Sequence, residues 1–150
     1  MNALDLVRYR IRLAEGFLAE AEQDFTLARW RSCVDNAQLV VENAGKTTLA
    51  LFGVVPKTHD PAQQIAQILR SQQVPPAIRD LMGKMLPDLL ALGSAEHFLT
   101  DHGDEVSYKL PWELFDKDAA TGALEAARGS IDSARAILRA WESRPSANND

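Results

Sequence analysis

Residue types able to hold a metal or move a proton gather in one stretch of the chain: His97, Asp101, His102, Asp104 and Glu105. The two histidines stand five apart. That misses the i, i+4 step that puts two imidazoles on one helix face, and no His-Glu-x-x-His sequence occurs. The acidic residues lack the spacing of an EF-hand loop. The stretch reads as a solvated or capping loop, with no metal and no cofactor expected. Gly45-Lys46-Thr47 has the ending of a phosphate-binding loop, but Val40 stands where its first glycine belongs. The tripeptide also falls inside a helical pattern, where N–H groups are already bonded to carbonyls. Gly45 is better suited to close helix approach, with Lys46 solvated or facing a partner. Cys33 lies on the inner face of the same pattern and reads as a packed thiol rather than a nucleophile. No serine elbow or dinucleotide-binding glycine fingerprint is present, and no catalytic residue is assigned.

Ligand binding is the chemistry the remaining residues can do. The segment from Asp101 to Trp112 is the longest irregular stretch and holds His102, Tyr108, Lys109 and Trp112. Tyr108 and Trp112 offer flat faces for a base, while His102 and Lys109 can meet a phosphate. The opposing acids Asp101, Asp104 and Glu105 weaken that case. The plainer alternative is that the two aromatics seal an open end of the fold. With Lys46 and His59, these four make the candidate ligand-binding set. Arginines cluster at Arg8, Arg10, Arg12, Arg29 and Arg31, but an antiparallel helix pair separates Arg8 from Arg29, so one continuous patch is not expected.

The elements that must position these residues follow from hydrophobic spacing. Leu6, Tyr9, Leu13, Phe17 and Ala21 predict a helix from Leu4 to about Gln23. A second, capped by Asp24 or Thr26, runs to about Phe52, with Gly53 as its stop. Asp60-Pro61 starts a short helix ending near Ser71. A helical pattern over Ile78–Thr100 should kink or break near Pro87. The last helix starts at Asp116 or Asp118 and reaches about Trp141. The fold class is all-α: an antiparallel up-and-down bundle of four to five helices over residues 1–142, then a polar tail over 143–150 expected to fray.

Composition agrees with one globular domain. The 150 residues are 46% hydrophobic and 25% charged, with a formal charge of -5, which disfavours broad, sequence-independent phosphate-backbone binding. A single cysteine forbids an intrachain disulfide and fits the reducing cytoplasm. The N-terminus lacks the apolar run of a signal peptide, and the longest mainly apolar stretch, Thr47–Pro56, is too short for a bilayer, so no membrane contact is expected. Leu18, Phe25, Trp30, Leu39, Val40 and Phe52 exceed what one inner face of a small bundle buries. That surplus predicts a symmetric homodimer.

The helix Arg31-Ser32-Cys33-Val34-Asp35-Asn36-Ala37-Gln38-Leu39-Val40-Val41-Glu42-Asn43-Ala44-Gly45-Lys46 and the turn Pro56-Lys57-Thr58-His59-Asp60 resemble those of HEPN domains. The order of two long helices, a short one, an interrupted one and an Ala-rich last one also matches. The resemblance implies a dimerising helical bundle, nucleotide binding, and association with minimal nucleotidyltransferases, often in toxin–antitoxin pairs. Active relatives use an arginine followed four to six residues later by histidine. Here the nearest arginine upstream of His97 is Arg79, and His59 looks back to Arg31. Ser107-Tyr108 stands where relatives often carry Arg-Tyr. The expected function is therefore a non-catalytic, homodimeric HEPN-like binding partner, with a divergent RNase toxin and a purely structural helical subunit as the alternatives.

Overall fold

The computed structural model describes residues 2–57, 60–71, 73–93 and 99–145. Helix α1 (Ala3–Thr26) opens on a reciprocal cap. The Asn2 side chain accepts from the Asp5 amide at 2.9 Å, and the Asp5 carboxylate accepts from the Asn2 amide. Its buried residues are Val7, Ile11, Ala14 and Ala21, a heptad-like stripe down one face. The stripe is rotated from the predicted one. Leu6, Leu13 and Phe17 are only partly buried, and Tyr9 is 47% exposed. The reason is close packing. Small Ala14 and Ala21 sit against the neighbouring helices, and the larger side chains fan out beside them.

The turn into α2 (Trp30–Leu51) also differs from expectation. Neither Asp24 nor Thr26 caps the second helix. Thr26 ends α1 with its hydroxyl bonded to the Glu22 carbonyl, and Asp24 accepts from the Asn36 side chain at 2.8 Å. The reversal instead uses Ala28 with φ 55, a left-handed conformation that costs an alanine about 1–2 kcal/mol. Helix α2 packs against α1 and every other helix named below, and Gly53, at φ 68, turns the chain just after its end. Fourteen of its residues are buried, spread around its whole circumference.

Asp60 accepts from the Ala62 amide at 3.1 Å and starts α3 (Ala62–Ser71) as its spacing predicts. Helix α4 (Pro76–Ala91) runs through Pro87 without the break that is one of the two expectations there, and it ends before Leu92 rather than reaching Thr100. Proline at this position withdraws a hydrogen bond from the carbonyl of Gly83, four residues earlier. Both residues are exposed, so water can take that carbonyl, and glycine gives the ring room. Residues 99–102 are helical, Asp104 and Lys109 form an isolated antiparallel bridge, and α5 (Pro111–Leu114) makes one turn. The predicted irregular loop is thus largely ordered. The long α6 (Lys117–Glu142) follows Asp116, whose side chain accepts from the Ala119 amide at 2.9 Å.

The four long helices α1, α2, α4 and α6 alternate in direction around one core, confirming the predicted up-and-down bundle. Helices α1 and α6 are locked in antiparallel register by Arg8–Glu142, Glu15–Arg135 and Glu22–Arg128, at 3.0, 2.8 and 3.2 Å. Each step of seven along one helix matches a step of seven back along the other. Five of the six residues expected to be in surplus pack within the chain. Val40 is fully buried, Phe25 meets Trp30 edge-on at 5.2 Å, Phe52 meets Trp141 at 5.1 Å, and Leu18 packs against the core. Leu39 stays half-buried on α2.

Gly45 marks where α2 lies closest to its neighbours, since a Cβ there would land on the Pro61 ring and 3.3 Å from Leu89 Cδ2. Gly45→Ala should destabilise the protein by roughly 1–3 kcal/mol in urea unfolding. Gly16→Ala, in open space on α1, should stabilise it by up to about 1 kcal/mol. Equal effects from both would contradict this packing.

Candidate functional site

A helix buried on nearly every side must find partners for its polar residues. On α2 these form a stripe at helical spacing: Arg31, Asp35, Gln38, Glu42 and Lys46. Three of them find partners in the segment that follows α4. Gln38 Nε2 donates to the Gly93 carbonyl at 3.0 Å, and the Thr100 hydroxyl donates to Asp35 Oδ1 at 3.1 Å. Arg31 Nη1 donates to the Thr100 carbonyl at 2.8 Å and lies 3.9 Å from the Asp101 carboxylate. The stripe therefore holds Gly93, Thr100 and Asp101 against the central helix.

Arg31 also sets up a pocket. Its guanidinium lies 5.7 Å from the centre of the Trp112 ring, within cation–π range. Residues 28–32, Trp112 and Phe115 enclose about 400 Å³ at the start of α2. Trp30, Arg31 and Ser32, which open this helix, line it, and Arg29, at the N-cap, provides no side-chain bond to cap their amides. Arg29 is exposed, while Trp112 is 70% exposed and presents a face to solvent. Unbonded helix amides, two guanidiniums and an aromatic plane form an arrangement that accepts an anion beside a flat ring.

The turn before Trp112 is tightly made. Asp104 accepts from the Val106 amide and the Ser107 hydroxyl, at 3.0 and 2.8 Å. The Ser107 hydroxyl, followed by the backbone amides, holds the Asp104 carboxyl below the usual carboxylate range. Its oxygens serve the turn, and among the described residues no group of three or more His, Cys, Asp or Glu is placed to hold a metal. Gly103, at φ 72, admits the chain where a Cβ would strike the Lys109 carbonyl. Tyr108 takes φ 55 and is 90% exposed. Neither Tyr108 nor Trp112 seals the end of the bundle, which removes the plainer reading of these aromatics.

The six predicted ligand residues separate. Trp112 is in the pocket, and His102 follows directly on the Thr100–Asp101 pair that Arg31 holds. Tyr108 and Lys109 sit on the adjoining turn, where Lys109 is tied by its backbone to Asp104. Lys46 belongs to the α2 stripe but lies fifteen residues from Arg31, about 22 Å along the helix. There it pairs with Glu42 at 2.8 Å, largely out of solvent. Thr58, His59 and His97 lie outside the described residues. Sequence reasoning noticed Arg29 and Arg31 as a basic pair near the helix connection but not their place in this pocket. The missing signal was a contact between residues 69 apart. Burial, then the Asp24 charge, pushes the Cys33 thiol up to about 11, so it stays protonated at neutral pH and packs as expected.

If Arg31 fastens the connection, Arg31→Ala should lower stability by roughly 1–3 kcal/mol. It should also speed hydrogen exchange at the Gly103 amide, which bonds the Leu99 carbonyl at 3.0 Å. Unchanged exchange at Gly103 would show that the segment holds itself.

Among the described residues no helix is long and apolar enough to cross a membrane. Compared with curated proteins, the chain has no significant match. The sequence model of the HEPN domain, however, matches residues 7–142, which span all four long helices and the pocket. This chain belongs to the HEPN domain family.

Proposed function

We propose that this protein is a non-catalytic HEPN domain that binds a nucleotide at the start of α2. The observation that carries the reading is the joint placement of Arg29, Arg31 and Trp112 around uncapped helix amides. The amides and Arg29 would take the phosphates, and the exposed face of Trp112 would stack on the base for roughly 1–3 kcal/mol. Arg31 already spends one nitrogen on Thr100, so it positions the pocket and lends charge to it. The lone buried thiol fits action in the reducing cytoplasm. Family membership supports a homodimer and a minimal nucleotidyltransferase partner. The surface available for such contact is the apolar turn of Val106, Tyr108 and Leu110, which are 93%, 90% and 56% exposed.

A second reading has one observation in its favour. Arg31 touches Thr100 and Asp101, which puts an arginine beside the residue before His102 without the family's sequence spacing. A divergent RNase of a toxin–antitoxin pair would use that juxtaposition. Cleavage of RNA that is lost in His102→Ala would establish it.

Titration with ADP while following tryptophan fluorescence tests the leading reading. A saturable change should appear, disappear in Trp112→Phe, and weaken about tenfold or more in Arg29→Ala, the scale of one charge-assisted contact. No Trp112-dependent change up to millimolar ADP would overturn it.

A further inference from the structure

The ion-pair register between α1 and α6 reverses sign once. In the rungs Glu15–Arg135 and Glu22–Arg128 the arginine is on α6, whereas in Arg8–Glu142 it is on α1. Around that reversal, Arg8 and Arg12 from α1 face Arg135 and Arg139 from α6 across one groove of about 640 Å³. Arg8 and Arg135 are committed to carboxylates, with Arg135 also 3.5 Å from Asp132. Among the described residues Arg12 and Arg139 have no ion-pair partner. Both are exposed, and they stand on opposite walls of the groove. The acids on its wall are occupied, Glu15 with Arg135 and Asp5 with the N-terminal cap of α1.

Arg8 and Arg135 serve the register of the two helices, but the fold gives Arg12 and Arg139 no such task, and each adds charge beside a guanidinium already there. Guanidinium pairs are suited to bidentate grips on phosphate oxygens. The floor is apolar, made by Ile11 and Leu138, and Tyr9 lines it with 47% of its surface open. A single phosphate would leave most of 640 Å³ empty, while a ligand with a ring system fits the range of small-molecule sites. We infer that this groove is a second binding site, for a small molecule that joins a diphosphate group to a flat ring, with Arg12 and Arg139 gripping the phosphates and Tyr9 meeting the ring. It is separate from the pocket at α2, since Arg12 lies fourteen residues from Thr26 at the end of α1, about 21 Å along the helix.

Calorimetric titration of the full chain with inorganic pyrophosphate and with ADP, at fixed ionic strength, tests the site. In an Arg29→Ala/Trp112→Ala background, which silences the α2 pocket, both ligands should still bind saturably. Adding Arg12→Gln and Arg139→Gln should weaken both about tenfold or more, with the unfolding midpoint unchanged because neither side chain has a partner to lose. Tyr9→Ala should weaken ADP and leave pyrophosphate as it was. Absence of saturable pyrophosphate binding in that background, or equal affinity with and without the two glutamines, would overturn the inference. Because the α2 pocket is silenced throughout, its success or failure is read separately.

Discussion

Burial of α2 on nearly every side is the constraint from which the rest follows. A polar group taken out of water without a partner costs about 1–3 kcal/mol, and this helix carries a whole stripe of them. The fold meets most of that demand with the chain leaving α4: Gly93, Thr100 and Asp101 are drawn onto Gln38, Asp35 and Arg31, while Gln38 Oε1 and Arg31 Nε stay without a hydrogen bond. Once the connection is held, the turn closed by Asp104 and the single turn of α5 have little freedom. Trp112 is then delivered beside Arg31. A requirement of the core thus places an aromatic face at a helix N-terminus.

The two ends of the bundle solve different problems with arginine. Near the start of α2, Arg31 is half-committed to backbone and ring, and Arg29 stays in solvent above unbonded amides. Along α1 and α6, arginines set the antiparallel register through exposed pairs that contribute little energy but strongly favour one alignment. The left-handed conformations of Ala28 and Tyr108 flank the first of these regions. Each is a local cost that the surrounding contacts must offset, and both belong to segments that shape the pocket or its neighbouring turn.

Much of this was legible in the sequence. Helical spacing located every long helix, Asp60-Pro61 and Asp116 marked their starts, and the turn Pro56–Asp60 with the element order carried the family resemblance. Boundaries failed where they depended on backbone rather than on a capping side chain. The start of α2 is set by Ala28 in a left-handed turn, which no composition rule anticipates, and Pro87 was tolerated because Gly83 faces it in open solvent. The phase of α1 is not legible from its large residues, because the line of closest approach is marked by Ala14 and Ala21. Within the site, Trp112 was legible as an aromatic in a polar stretch. Arg31's partnership was not, because only the folded chain brings residue 31 to residues 100, 101 and 112.

The most direct measurement of the central claim is the response of backbone amides at the start of α2. In a two-dimensional proton–nitrogen spectrum titrated with ADP, the amides of Trp30, Arg31 and Ser32 and the indole of Trp112 should shift together. All four should saturate with one dissociation constant, since one bound phosphate group would sit among them. Shifts confined to other parts of the bundle, with these four signals unmoved at saturation, would contradict the account.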